Sequence, residues 1–176
     1  ISIIFIVMIA IGYALISTNF NITGYLEVDK TEWDVHFDTT KTTGAGVIDP
    51  TTGLQGATAP TGTIAYDGNL KATLTTTLNQ PGDKVVYTLT IKNDGTLGAT
   101  TTGPTLTLDN VAVSGLTATK TNGHIKYTVT APQTNPIVAG GSTTMTVTAE
   151  FTDVQQGETI NNETAVLDVD LTYTQA

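Results

Sequence analysis

The chain of 176 residues has no cysteine and no arginine, and it has only four serines and two histidines. Without cysteine there is no disulfide framework and no thiolate metal site. Without arginine, seven lysines stand against 16 acidic residues, for a formal net charge of −9 and a pI of about 4.3. A surface this acidic repels phosphate backbones instead of releasing their counterions, which argues against nucleic acid as a partner. With so few serines and no Gly-x-Ser-x-Gly, no nucleophile with its base is visible. His36 and His124 have no carboxylate at a spacing that reads as a zinc site. Asp168 and Asp170 share one strand face. Calcium would need about six to eight oxygens, so even with Asp34 or Asp38 added a solvated acidic face is the simpler reading. The expectation is a protein that is not an enzyme and holds no cofactor or metal.

Threonine fills the space these residues leave, in clusters such as 75–77, 100–102 and 143–144. A β-branched hydroxyl side chain suits the outward face of a half-solvated strand better than a helix interior. Dense threonine also suits O-glycosylation. The hydrophobic pattern agrees with strands. Val85, Tyr87, Leu89 and Ile91 alternate with polar residues, as do Ile125, Tyr127 and Val129; Met145, Val147, Ala149 and Phe151; and Ala165, Leu167, Val169, Leu171 and Tyr173. The run 33–38 alternates too, with Trp33, Val35 and Phe37 on the apolar face. Weaker candidates lie at 25–28, 63–66, 70–77 and 106–113. Turn chemistry at Gln80-Pro81-Gly82-Asp83, Asn93-Asp94-Gly95, Asn122-Gly123 and Gly140-Gly141 separates the runs. No stretch after residue 24 sustains a helical period. The fold class is all-β: an antiparallel β-sandwich or jelly roll over 25–176. Its Gly-, Thr- and Pro-rich stretch 39–62 is expected to be a long exposed loop or splayed hairpin.

Ahead of this domain lies a different kind of sequence. Residues 1–16, ISIIFIVMIAIGYALI, carry no charge, and the apolar segment ends at residue 17 before a polar hinge, 18–24. No Met or basic stretch precedes the run, so the expectation is a segment kept in the mature protein, not a signal peptide that is removed. As a helix it would span about 24–27 Å, somewhat short of the roughly 20 residues of a full bilayer crossing. Being apolar all round, it would need burial on every side. As a strand, Ile9-Ala10-Ile11-Gly12-Tyr13-Ala14-Leu15 alternates large and small side chains. That suits a donor strand added to a neighbour's sheet edge. Either way Ile3, Phe5, Val7, Ile9, Ile11, Gly12, Tyr13 and Leu15 are the candidate subunit-assembly residues. Sequons at Asn21 and Asn162 are candidate glycosylation sites.

Four marks follow in order: the apolar segment ending Gly12-Tyr13-Ala14, the stretch Gly24-Tyr25-Leu26-Glu27-Val28, the stretch LNQPGDKVVYTLTIKNDGTLGA (78–99), and the closing strand LDVDLTYT (167–174). This order resembles the TasA and camelysin group of bacterial surface proteins. The resemblance implies a jelly-roll domain that polymerises into extracellular biofilm fibres. A retained apolar segment is similar to that of type IV pilins, whose helices pack in the filament core. Phe5 stands where bacterial pilins carry Glu, which leaves the archaeal-like pattern. The expected function is a structural subunit of an extracellular filament at the cell surface, with identical subunits in a helical homopolymer as its partners. The alternative is a monomeric adhesion or binding module tethered to a membrane by the same residues.

Overall fold

The alternating runs fold as strands because each presents an unbroken apolar face at period two. The computed structural model describes residues 31–40, 47–48 (backbone only), 60–68, 70–152, 154–159 and 161–176. None of the described residues is helical. The strands are β1 (Val35–Phe37), β2 (Val47–Ile48), β3 (Thr61–Tyr66), β4 (Lys71–Leu78), β5 (Lys84–Asn93), β6 (Ala99–Leu108), β7 (Val111–Val113), β8 (Thr117–Thr119), β9 (Ile125–Val129), β10 (Ser142–Phe151) and β11 (Glu163–Gln175). One sheet runs β1-β5-β10-β9-β8, with β2 also on β5, and the other runs β3-β4-β11-β6-β7. Every pairing is antiparallel. The two sheets face each other as a β-sandwich.

The core lies between them and uses the inward positions read from the sequence. Val85, Tyr87, Leu89 and Ile91 of β5 are fully buried, as are Met145, Val147 and Ala149 of β10 and Ala165, Leu167 and Val169 of β11. Each large apolar side chain so buried contributes about 1.5–3 kcal/mol. Two tyrosines stitch the sheets together. The Tyr87 hydroxyl lies 2.5 Å from Thr76 Oγ1 and donates to the Thr75 carbonyl at 3.1 Å. Tyr127 donates to the Ala165 carbonyl at 3.1 Å. Burial pushes the Tyr87 phenol up to about 12, so it remains a donor throughout the neutral range.

Several expectations change. Trp33 does not continue the apolar face: strand pairing begins only at Val35, and Trp33 is 43% exposed. The weak run 106–113 is two strands, not one. Asp109 and Asn110 have φ of 46° and 66°, which makes a two-residue hairpin turn between β6 and β7. Asp109 secures that turn by accepting the Val166 N–H at 2.9 Å while its own N–H reaches the Val166 carbonyl at 2.8 Å. The stretch 39–62, expected as a long exposed loop or splayed hairpin, contains strand residues, and its positions 41–46 and 49–59 lie outside the described residues. Val47 and Ile48 pair with Val86 and Val85, and β3 begins at Thr61. The candidate strand 25–28 and the hinge 18–24 lie outside the described residues.

Candidate functional site

The sharpest local construction in the sandwich is the corner that ends β5. Asn93 is fully buried. Its amide donates to the carbonyls of Leu97 at 2.7 Å and of Ile137 and Val138, each at 3.2 Å. Its side-chain oxygen accepts the Gly95 N–H at 3.1 Å. Gly95 in turn presses on the segment before β1: a Cβ there would lie 2.5 Å from the Glu32 carbonyl oxygen and 2.8 Å from the Asp34 nitrogen. Backbone bonds from Asp94 N–H to the Asp34 carbonyl (2.8 Å) and from Thr96 N–H to the Glu32 carbonyl (2.9 Å) fix the two segments side by side.

This corner brings Asp34, His36 and Asp94 together, with one ligand-type atom of each within 4.8 Å of the others. His36 Nδ1 lies 2.9 Å from Asp34 Oδ1, and Nε2 lies 3.7 Å from Asp94 Oδ2. The second Asp94 oxygen is held at 2.8 Å by the Lys92 ammonium. The hydrogen bond to Asp94, with its charge, raises the lysine above its ordinary value. All these groups are part-exposed on the outer surface of the sheet.

The other histidine has a related but closed arrangement. His124, in the turn between β8 and β9, contacts Glu163 Oε1 through Nδ1 at 2.6 Å and Glu158 Oε1 through Nε2 at 3.2 Å. Its backbone N–H donates to the other Glu163 oxygen at 2.8 Å, and its ring stacks on Phe151 with centroids 5.2 Å apart. The imidazole thereby joins the β8–β9 turn, the β10–β11 connection and the foot of β11, beside a cleft of about 520 Å³ lined by Asn122, Thr152 and Gln155 among others. The Glu163 hydrogen bond, reinforced by Glu158, raises the His124 pKa above 6.5. A bond from the Gln155 backbone, followed by the His124 contact, lowers Glu158 below 4.5.

A raised histidine pKa adds stability in full below the unfolded value, and that stability is lost as pH rises through the folded value. A lowered carboxylate acts oppositely, so the clasp is strongest between these two limits. The expected result is that His124→Asn lowers the thermal midpoint more at about pH 6 than at about pH 9. A pH-independent difference between variant and parent would contradict the clasp.

The sequence missed both clusters because their members are far apart in the chain. His36 and Asp94 meet only through the β1–β5 register, and His124 and Glu163 only through sheet-to-sheet packing. The one available signal was Asn93-Asp94-Gly95, read there as a turn and as part of the 78–99 stretch behind the resemblance, not as a cluster of side chains. Conversely, Asp168 and Asp170 do not meet Asp34 or Asp38. They lie on β11 and the latter flank β1 in the other sheet, and Asp168 accepts a hydrogen bond from Thr73 Oγ1 at 2.6 Å. Ser114 and Ser142, the serines among the described residues, make no hydrogen bond to either imidazole. Asn162 is exposed just before β11. Asn21 and the assembly candidates Ile3, Phe5, Val7, Ile9, Ile11, Gly12, Tyr13 and Leu15 lie outside the described residues.

The outward threonines form cross-strand rows. On the β5 sheet Thr144 faces Thr90, Thr146 faces Thr88 and Thr148 faces Thr128. Thr130 and Thr146 hydroxyls bond at 2.9 Å, as do Thr77 and Thr164 on the opposite sheet. Compared with protein-family models, with curated proteins and with solved structures, the chain matches none.

Proposed function

We propose that this protein is the structural subunit of an extracellular filament, a pilus or biofilm fibre, with the sandwich as its repeating body and residues 1–16 as the joint between subunits. The observation that carries this reading is the contrast between two parts of one chain. Residues 31–176 form a unit of their own with their own core, while the first 16 residues are an uncharged apolar run. Such a run requires burial against lipid or protein. Six or more large side chains buried at about 1.5–3 kcal/mol each offset the entropy lost when subunits associate. On this reading the sandwich is a jelly roll of the TasA and camelysin kind, and the apolar run joins subunits as a bundled helix or as a donor strand. The hydroxyl-covered outer faces suit a protein that works as a surface and not as a pocket.

Negative-stain microscopy tests the proposal. Full-length protein freed of detergent and lipid is expected to form ordered fibres, and deletion of residues 1–16 is expected to leave dispersed particles. Full-length protein that stays monomeric, and inserts into vesicles instead, would overturn the filament reading in favour of a membrane-tethered surface module.

A further inference from the structure

We propose that the corner of Asp34, His36 and Asp94 is a binding site for one divalent transition-metal ion of the class that accepts imidazole and carboxylate together, such as Zn²⁺, Cu²⁺ or Ni²⁺. The argument starts from the difference between the two histidines. His124 has both ring nitrogens closed by carboxylates, at 2.6 and 3.2 Å. His36 has only one closed, Nδ1 on Asp34 at 2.9 Å. In the tautomer that donates to Asp34 through Nδ1, Nε2 carries the lone pair, and Asp94 Oδ2 lies 3.7 Å from it.

In that tautomer both atoms are acceptors, and 3.7 Å lies beyond hydrogen-bond range. They match two donors on one metal: bonds of about 2.1 Å to nitrogen and oxygen give a tetrahedral edge of about 3.4 Å. Closing the site needs a movement of a few tenths of an ångström. The supporting groups are already in place. Asp34 behind the imidazole is the carboxylate–histidine pairing that orients metal-bound histidines. Lys92 occupies Asp94 Oδ1 at 2.8 Å and leaves Oδ2 toward the ring. Asn93 and Gly95 fix the backbone that carries Asp94. His36 Nε2 and Asp94 Oδ2 are thus the two protein ligands, Asp34 is the positioning residue, and water completes the shell on the exposed side. An overall charge of −9 concentrates cations near such a site.

The test uses the full chain in detergent micelles, stripped of metal with EDTA. Titration with ZnCl₂ is expected to show one ion per chain. Cu²⁺ bound to the same protein is expected to show hyperfine coupling to one nitrogen by electron paramagnetic resonance. His36→Asn should remove that coupling and weaken Zn²⁺ binding at least about tenfold, Asp34→Asn should weaken it by about 10–100-fold, and His124→Asn should change neither. In unmodified protein, substoichiometric Cu²⁺ should broaden the His36 ring resonances before those of His124, a readout that needs no variant to fold. Nitrogen coupling that survives His36→Asn, equal broadening of both histidines, or no saturable Zn²⁺ binding would overturn the proposal.

Discussion

Replacing Asn93 by Asp is expected to destabilise the sandwich by roughly 4 kcal/mol or more, since it leaves an unpaired charge in the interior. Asn93 is fully buried, and its amide faces three carbonyl oxygens, those of Leu97, Ile137 and Val138. A carboxylate would turn those attractions into repulsions. Asn93→Ala should cost less, about 3 kcal/mol. The Ile137 and Val138 carbonyls keep the N–H groups of Ala99 and Gly141, so the Leu97 carbonyl and the Gly95 N–H carry most of the loss, at about 1–3 kcal/mol for each buried group left unpaired. The Asp variant also has a pH signature. Burial against carbonyls raises its carboxyl pKa, so the penalty is full above the folded value and is relieved as acid protonates it. Urea unfolding at neutral and acidic pH measures both. An Asp variant as stable as the parent, or one with no gain in acid, would contradict the assigned hydrogen bonds.

The second large effect is expected at Gly62, on the inner side of β3 opposite Thr76. A Cβ at this position would lie 2.5 Å from the Tyr87 hydroxyl oxygen, 2.7 Å from Val85 Cγ1 and 2.9 Å from Tyr87 Cζ. The tyrosine tip has no slack, because it is bonded to Thr76 and to the Thr75 carbonyl. Gly62→Ala should therefore combine overpacking of about 1–3 kcal/mol with a weakened buried hydrogen bond of about 1 kcal/mol. Tyr87→Leu removes the ring that the new methyl would strike, so the double variant should cost clearly less than the sum of the two single ones. Denaturant unfolding of the four proteins in this cycle measures the coupling. Additive losses would mean that Gly62 and Tyr87 do not share the space.

How legible these features were depended on whether they were local. The four long alternating runs announced their strands and inward faces, because one strand needs only its own sequence to define a face. β6 was read only at its far end, since Gly103 and Pro104 break the pattern. In the fold Gly103 takes φ of 112° at an irregularity opposite Leu171–Tyr173. Pro104 sits where β7 no longer pairs with β6, so its missing N–H costs no ladder bond on that side. β8 was too short to show a period. The histidine clusters were hidden for another reason: register and sheet packing bring Asp34 to Asp94 and Glu163 to His124, and neither is encoded in any spacing. Asn93 was read as a turn residue, though it is the buried brace of the whole corner.

The edge of β5 has a mechanical consequence. β1 and β2 run along it in the same direction, with Phe37 opposite Ile91 and Val47 opposite Val86. The sequence has eight residues, 39–46, between Asp38 and Val47, where β5 has three, 87–89, between their partners Thr90 and Val86, a difference of five. Tension arriving from the N-terminal side meets the bonds of Glu32 and Asp34 to Thr96 and Asp94 first, and then the three paired positions of β1. If β1 shears away, those five residues pay out roughly 16–18 Å of chain before β2 and the remaining sheet feel the pull. In the filament proposed above, each subunit would then carry its own short length of slack, released at the cost of exposing Val35 and Phe37 while the inward side chains of β5, β10 and β11 stay paired.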